Sequence, residues 1–255
     1  MKRLLILFSM VLLLLPFQPV SAKSNLSKDP NYKTIYTALI KLQPEVKVKY
    51  NKQVFNVLNQ VLEDHPEIFY FNHSKTLLWS DGRLILGYSG SKKTIKGQIS
   101  KLNKKVNSVY KKAQVKKTIK EKIKYYHDYI VNNTKYDIKN YQKGSIPDSS
   151  YNSYGTLVKG VAVCQGYAYA MKIFLNKEGI TNYIVTGDAN SYGGWEGHAW
   201  NLVKVGKKYF HVDPTWNDPI TYDGKQILRH DYFMVSDKEL KKDHRWNTTK
   251  YPKAL

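Results

Sequence analysis

The chain has 255 residues, and 41 basic residues against 20 acidic ones give it a formal net charge of +21. Its length suits one larger domain with a smaller companion. A single cysteine excludes an internal disulfide, so stability has to come from packing. The positive excess favours an anionic polymer or membrane surface as a neighbour, with general solvated charge as the alternative.

The first 22 residues have the pattern of a secretory signal peptide. A short positive start, Met1-Lys2-Arg3, precedes an almost wholly apolar run at residues 4–15. Val20-Ser21-Ala22 then supplies the small residues that come before a cleavage site. The run is short for a membrane span, although an uncleaved anchor is the alternative. We therefore predict a secreted, extracellular protein, for which an anionic cell-wall polymer would be the acidic material nearest at hand.

Residues 23–114 are predicted to form a smaller N-terminal α+β module. Apolar residues at helical spacing indicate a helix after Asn51, a candidate cap. The Asp81-Gly82 turn signal separates two short strand-like runs, residues 76–79 and 83–88. A long amphipathic helix with a lysine-rich outer face follows. Its predicted apolar stripe consists of Ile95, Ile99, Leu102, Val106 and Val109.

Residues 115–255 are predicted to form the larger domain, after a soft boundary. A helical period continues to Ile130, and the polar, turn-rich segment 136–154 is long enough to form the rim or lid of a cleft. Residues 181–187 predict a strand, and residues 188–197, with three glycines, predict a loop. A late strand is expected at residues 231–235. The charged tail from Asp237 is expected to be peripheral.

The only cysteine, Cys164, lies at the predicted start of a helix. Ala168, Met171 and Leu175 recur at helical spacing, and Gly179 is placed to end the helix. The three residues before Cys164 offer no side-chain oxygen to cap the free amides. The positive end of a helix dipole lowers the pKa of a thiol, as nucleophilic catalysis requires. A small buried hydrophobic residue is the alternative interpretation of Cys164.

Two strand-like runs downstream supply candidate partners for the thiol. Residues 198–205 and 208–213 are rich in β-branched and aromatic residues and are separated by Gly206-Lys207. That spacing predicts a hairpin with a type II′ turn, in which Val205 faces Lys208.

This register places His198 and Asp213 on one face of the hairpin, with Asp213 opposite Trp200 and diagonal to His198. His211 shares the face and competes with His198 for the role of base. It ranks second because it lies farther from the strand end. A shift of the register by one residue would put Asp213 on the other face.

Three motifs, GVAVCQGYA around Cys164, GHAWN around His198 and FHVDPTW around Asp213, closely resemble the transglutaminase-like superfamily of cysteine enzymes. The resemblance covers roughly residues 121–233 and includes the lead-in HDYIVNNTKYD. It implies an α+β fold with a papain-like core, one helix packed against an antiparallel sheet. It also implies that Cys164 is the nucleophile, His198 the base and Asp213 the group that orients the base.

The resemblance implies acyl transfer at amide bonds of proteins or cell-wall peptides through a thioester. Water as acceptor makes the enzyme a peptidase or amidase, and an amine makes it a transglutaminase. The alternative is a catalytically inert cell-wall or protein-binding module with the same fold. The backbone N–H of Cys164 is a candidate donor to the oxyanion, and no second donor is identified. Residues predicted to line the substrate cleft are Gln165, Tyr136, Tyr154, Trp195 and Trp200.

Motifs of other function classes are missing from the sequence. The seven histidines are scattered, without an HExxH motif or paired Cys/His spacing, so we expect no metal. No glycine-rich phosphate loop or nucleic-acid recognition motif occurs, and no acidic cluster would hold calcium. We therefore expect no cofactor and no specific nucleic acid. Aromatic residues that stack on sugars would suit glycan binding, but such residues more often fill cores.

Overall fold

The computed structural model describes residues 26–191, 194–221 and 225–255. The predicted signal peptide, residues 1–22, lies outside the described residues. Within the described ranges, no helix combines the length and the apolar character needed to cross a membrane.

The N-terminal module contains two helices and a three-stranded antiparallel sheet with strand order β1–β3–β2. These elements are α1 (Pro30–Ile40), β1 (Glu45–Lys47), α2 (Val54–Asp64), β2 (Leu77–Leu78) and β3 (Arg83–Ile85). The predicted β2–β3 hairpin is present, and its turn contains Gly82 at φ +86°, a conformation that favours glycine. Asn51 is not the N-cap of α2. Its side chain instead accepts a hydrogen bond from the backbone N–H of Gln53, the residue before the helix.

The long helix α3 (Lys92–Ala113) contributes to two hydrophobic cores. Ile95 packs into the core of the N-terminal module, whereas Leu102, Val106 and Val109 pack into the core of the larger domain. Its lysines lie on the exposed face, as the amphipathic pattern predicts. Because one helix contributes to both cores, the domain boundary at residue 114 stays a prediction.

In the larger domain, helices pack against a five-stranded antiparallel sheet with strand order β10–β6–β7–β8–β9. The elements before the sheet are α4 (Ile119–Asn133), β4 (Lys135–Tyr136), α5 (Ile138–Gln142), β5 (Val161–Ala162) and α6 (Cys164–Lys177). The remaining elements are β6 (Asn182–Ser191), β7 (Gly194–Val205), β8 (Lys208–Val212), β9 (Phe233–Val235), α7 (Asp237–Leu240) and β10 (His244–Trp246). Helix α6 packs on β6 and β7, with Ala168 against Ile184 and Ala199. The α+β class, with a helix on an antiparallel sheet, is therefore confirmed.

The predicted register of the β7–β8 hairpin is confirmed. Val205 pairs with Lys208, and the pairing continues without a shift to Asn201 and Val212. Gly206 has φ +60°, while Lys207 is not among the described non-glycine residues with positive φ. This combination fits the predicted type II′ turn.

Two expectations about the larger domain are wrong. The described part of residues 188–197, which leaves out 192 and 193, is not a loop, because β6 and β7 stay paired from Asp188–Gly197 to Ser191–Gly194. Pairing uses backbone groups alone, so Gly194 and Gly197 do not prevent it. The tail from Asp237 is not peripheral either: β10 is paired with β6, and Leu240 is buried against the sheet.

Candidate active site

Cys164 is the first residue of α6, as the sequence predicts. Val163 precedes it in an extended conformation and makes no side-chain cap. Gly166 allows the turn at residues 148–151 to approach the helix, since a Cβ atom at position 166 would lie 2.7 Å from the carbonyl oxygen of Ser150. The cysteine is partly exposed and lines a cleft. The thiol is therefore accessible to a ligand and lies at the positive end of the helix dipole.

His198 and Asp213 are hydrogen-bonded on the shared face of the hairpin. The distance from His198 Nε2 to Asp213 Oδ2 is 2.6 Å, and the two side chains are 7% and 0% exposed. The other carboxylate oxygen, Oδ1, accepts the backbone N–H groups of Thr215 and Trp216. Because Nε2 faces the carboxylate, Nδ1 is the ring nitrogen left for the thiol.

Opposite charges dominate the titration of these buried groups. Burial disfavours the protonated ring of His198, but the charge and hydrogen bond of Asp213, with interactions from the Cys164 side chain, raise its pKa to about 10. Burial also disfavours the ionised form of Asp213, yet the charge and hydrogen bond of His198 hold its pKa well below its usual range. The pair is therefore an imidazolium and a carboxylate at neutral pH.

The cleft beside Cys164 has a volume of about 850 Å³. One wall comes from α5 and neighbouring turns, and the other comes from the β6–β7 ribbon and the loop after β8. The hydroxyl of Tyr141 on α5 donates a hydrogen bond of 2.6 Å to Glu196 on β7, which links the two walls. Tyr136 lines the cleft as predicted. A smaller cavity of about 590 Å³ near the other end of α6 contains neither the cysteine nor the His198–Asp213 pair.

The other predicted cleft residues are not among those that line it. They are Gln165, Tyr154, Trp195 and Trp200. Tyr154 is buried and stacks on Phe69, while Trp200 is fully buried under the C-terminal tail that the sequence placed at the periphery. Trp195 is exposed on β7, with the guanidinium of Arg245 4.5 Å from its ring centroid. The positions of Trp195 and Trp200 follow from the longer β6–β7 ribbon and the docked tail.

His211, the competing base, is occupied elsewhere. It is buried, accepts a hydrogen bond from the indole N–H of Trp200, and faces Asp237 at 2.9 Å. Neither ring nitrogen is free, and His211 does not line the cleft. The prediction that His211 ranks second to His198 as the base therefore agrees with its position in the structure.

Sequence reasoning missed His244, which contacts the candidate orienting carboxylate. It lies on β10, its side chain is 0% exposed, and its Nε2 is 3.3 Å from Asp213 Oδ2. The sequence pattern that could have identified it is the alternation of His244 and Trp246, which predicts a strand with one aromatic face. The lysines around these residues made the segment look like a charged, exposed tail. Trp216 was also missed, although it lines the cleft beside His198.

Two clusters among the described residues have the chemistry of metal ligands. They are His127, Asp128 and His230, and His198, Asp213 and His244. In the first cluster both nitrogens of His127 already have hydrogen-bond partners, Asp128 and Asn217. In the second cluster the carboxylate of Asp213 accepts hydrogen bonds from the rings of His198 and His244. Internal hydrogen bonds therefore account for both arrangements.

Comparison with known families identifies the segment that contains the site. Residues 105–214 match the model of the transglutaminase-like superfamily. This segment resembles the transglutaminase-like superfamily. It includes Cys164, His198 and Asp213, in agreement with the family resemblance seen in the sequence. No curated protein matches the chain.

Three solved structures are distantly similar to the chain. The first, described as a TGase, has 18% identity and a TM-score of 0.40, over 66% of this chain and 49% of that one. A candidate cysteine protease from Cytophaga hutchinsonii has 20% identity and a TM-score of 0.38, over 50% and 41%. The periplasmic domain of TgpA from Pseudomonas aeruginosa, bound to ethylmercury, has 17% identity and a TM-score of 0.34, over 57% and 64%. The chain spans about half the length or less of the first two.

Proposed function

We propose that this protein is a secreted, cysteine-dependent acyl-transfer enzyme that acts on amide bonds of proteins or cell-wall peptides. The 2.6 Å hydrogen bond between His198 and Asp213, in the cleft that also contains Cys164, carries the proposal. A nucleophile, a base and a group that orients the base are the parts that covalent acyl transfer requires. The match to the transglutaminase-like superfamily supports the same reaction class.

The first half of the reaction forms a thioester. The sulfur of Cys164 attacks the amide carbonyl carbon, and the imidazolium of His198 gives its proton to the leaving amine as the C–N bond breaks. The backbone N–H of Cys164 is a donor for the oxyanion. Thr215 also lines the cleft, and its side-chain hydroxyl is buried without a hydrogen-bond partner among the described residues.

The second half releases the acyl group. His198, now neutral, removes a proton from water or from an amine, which attacks the thioester carbonyl and expels the sulfur. Water yields a carboxylic acid and makes the enzyme a hydrolase. An amine yields a new amide and makes it a transglutaminase.

The charge distribution supports an anionic partner for the secreted protein. Helix α3 contains eight lysines and no acidic residue, and the lysines lie on its exposed face. An exposed helix of this charge attracts a polyanion such as a phosphate-rich cell-wall polymer. This contact would hold the enzyme near its substrate.

The proposal is tested by incubating residues 23–255 with cell-wall peptides and a labelled primary amine, and reading the products by mass. A labelled adduct means transfer, and a cleaved amide means hydrolysis. Cys164→Ala should abolish both while the thermal melt stays cooperative. Products that persist in this variant, or no product with any substrate, would favour the inert binding module.

A further inference from the structure

His244 lies between two carboxylates in the interior of the domain. Its Nε2 is 3.3 Å from Asp213 Oδ2, and its Nδ1 is 2.6 Å from Asp243 Oδ1. The side chain is 0% exposed, so bulk solvent does not reach either ring nitrogen. An ionised carboxylate only accepts hydrogen bonds, and therefore both contacts are made at once only when both ring nitrogens carry a hydrogen.

With His244 included, the carboxylate of Asp213 accepts four hydrogen bonds. Oδ1 receives the backbone N–H groups of Thr215 and Trp216, and Oδ2 receives His198 and His244. A carboxylate with every accepting direction occupied cannot rotate without losing a bond. His244 is the second donor to Oδ2, beside His198. Its hydrogen bond and its charge help to keep Asp213 ionised.

The edge strand β10 holds His244 in this position. His244 pairs with Ala189 on β6, and the ring of Trp216 lies 4.6 Å from its own. Asp243 is fixed in turn, because its Oδ2 accepts the hydroxyl of Tyr232 at 2.6 Å. The position of the imidazole is therefore fixed by the strand pairing of its backbone, by the ring of Trp216 and by the contact of its Nδ1 with Asp243.

We propose that His244 is a positioning residue of the active site, which orients Asp213 by donating its Nε2 hydrogen. Asp213 in turn holds the His198 ring with Nδ1 toward Cys164. The C-terminal segment is then part of the catalytic unit, although it lies beyond residue 214, where the family match ends. This inference rests on the proposed function, because orientation of His198 matters only where His198 exchanges protons with Cys164 and the substrate.

Two substitutions separate the two bonds of His244. The side-chain amide nitrogen of His244→Gln takes the place of Nε2 and keeps the donor to Asp213, whereas that of His244→Asn takes the place of Nδ1 and keeps only the donor to Asp243. We expect His244→Gln to stay within about threefold of wild type in kcat/KM and His244→Asn to lose about a hundredfold, mostly in kcat, since small misplacements of catalytic groups have effects of that size.

A second readout requires no substrate. The rate of Cys164 alkylation by iodoacetamide at neutral pH reports the reactivity that His198 gives the thiol, and it should fall in His244→Asn and not in His244→Gln. If neither wild type nor variants turn over any substrate but the alkylation rates keep this order, the proposed function fails and the positioning role stands.

His211→Gln is the matched control. His211 is an equally buried histidine whose two ring nitrogens are hydrogen-bonded to Trp200 and Asp237 and not to Asp213. The His211→Gln variant should have a lower melting temperature than wild type. Its Cys164 alkylation rate, measured below that temperature, should be unchanged. Equal losses in His244→Asn and His244→Gln, or a smaller loss in His244→Asn, would overturn the inference and leave His244 with a packing role.

Discussion

The imidazole of His198 and the carboxylate of Asp213 form a buried ion pair whose strength depends on pH. Burying two charges is costly unless further hydrogen bonds satisfy them, and here Asp213 receives four. The pKa of His198, about 10, lies above its ordinary value of 6.5. The stabilisation that comes from His198 is thus fully present below pH 6.5 and is lost as the pH rises through 10. The pKa of Asp213 is depressed, so its contribution is lost only in acid.

We therefore expect alkaline conditions to destabilise the wild type more than His198→Gln. Between about pH 6.5 and pH 10, the difference in the free energy of unfolding between the two proteins should shrink by roughly 2–4 kcal/mol, because the folded protein alone holds the His198 proton in that range. Urea denaturation at several pH values measures the difference. A difference that stays constant with pH would show that His198 is not protonated in the folded state.

Among the secondary-structure elements, the β6–β7 ribbon and α5 shape the cleft, whose charged lining residues are acidic. The acidic residues that line it are Glu196, Asp218 and Asp243, and no lysine or arginine is among the described lining residues. In a chain with a net charge of +21 this is an unusual local composition. Glu196 is the exposed member, two residues along β7 from His198 on the same face.

Glu196→Gln should therefore weaken the binding of cationic substrates. If the acyl acceptor is an amine, we expect KM for a protonated diamine to rise about threefold to tenfold, because one partly solvated charge interaction is lost, with kcat nearly unchanged. A neutral acceptor such as hydroxylamine is the control and should keep its KM. An equal rise for both acceptors would mean that Glu196 shapes the cleft through Tyr141 and does not select charge.

A secondary-structure element could be predicted where a strong local sequence pattern also determines its structure. The β7–β8 register followed from a two-residue turn and a buried face, which together leave one pairing. The β6–β7 ribbon was mistaken for a loop because its glycines give a turn signal, while the backbone pairing that decides the matter is invisible in side chains. The role of β10 depends on contacts with Asp213, 31 positions away in the chain, and no local pattern encodes that distance.

In the whole molecule, acidic and basic residues are concentrated in different places. The acidic residues Glu196, Asp218 and Asp243 line the cleft, and the lysines of α3 lie on an exposed helix face. A sequence shows the total charge and the lysine-rich helix face, and both were predicted. That no described lining residue of the cleft is a lysine or an arginine could not be predicted, because the lining comes from segments spread between residues 136 and 243.

The α3 lysines should dominate binding to a polyanion. A variant with Lys92, Lys96, Lys104 and Lys111 changed to Gln should bind inorganic polyphosphate more weakly, with the slope of log K against log salt reduced by about three to four, because each lost contact releases about one counterion fewer. The control variant changes the exposed Lys207, Lys208, Lys238 and Lys242 to Gln and removes the same charge elsewhere. Equal losses in the two variants would indicate a response to net charge alone and no binding face on α3.

The most direct test of the whole account is the mass of the intact protein after rapid acid quenching during turnover of a peptide amide. Formation of a thioester predicts a species heavier than the free protein by the acyl group, mapped to Cys164, discharged by water or an added amine, and missing in Cys164→Ala. Turnover without such a species, or an acyl group mapped to another residue, would contradict the account.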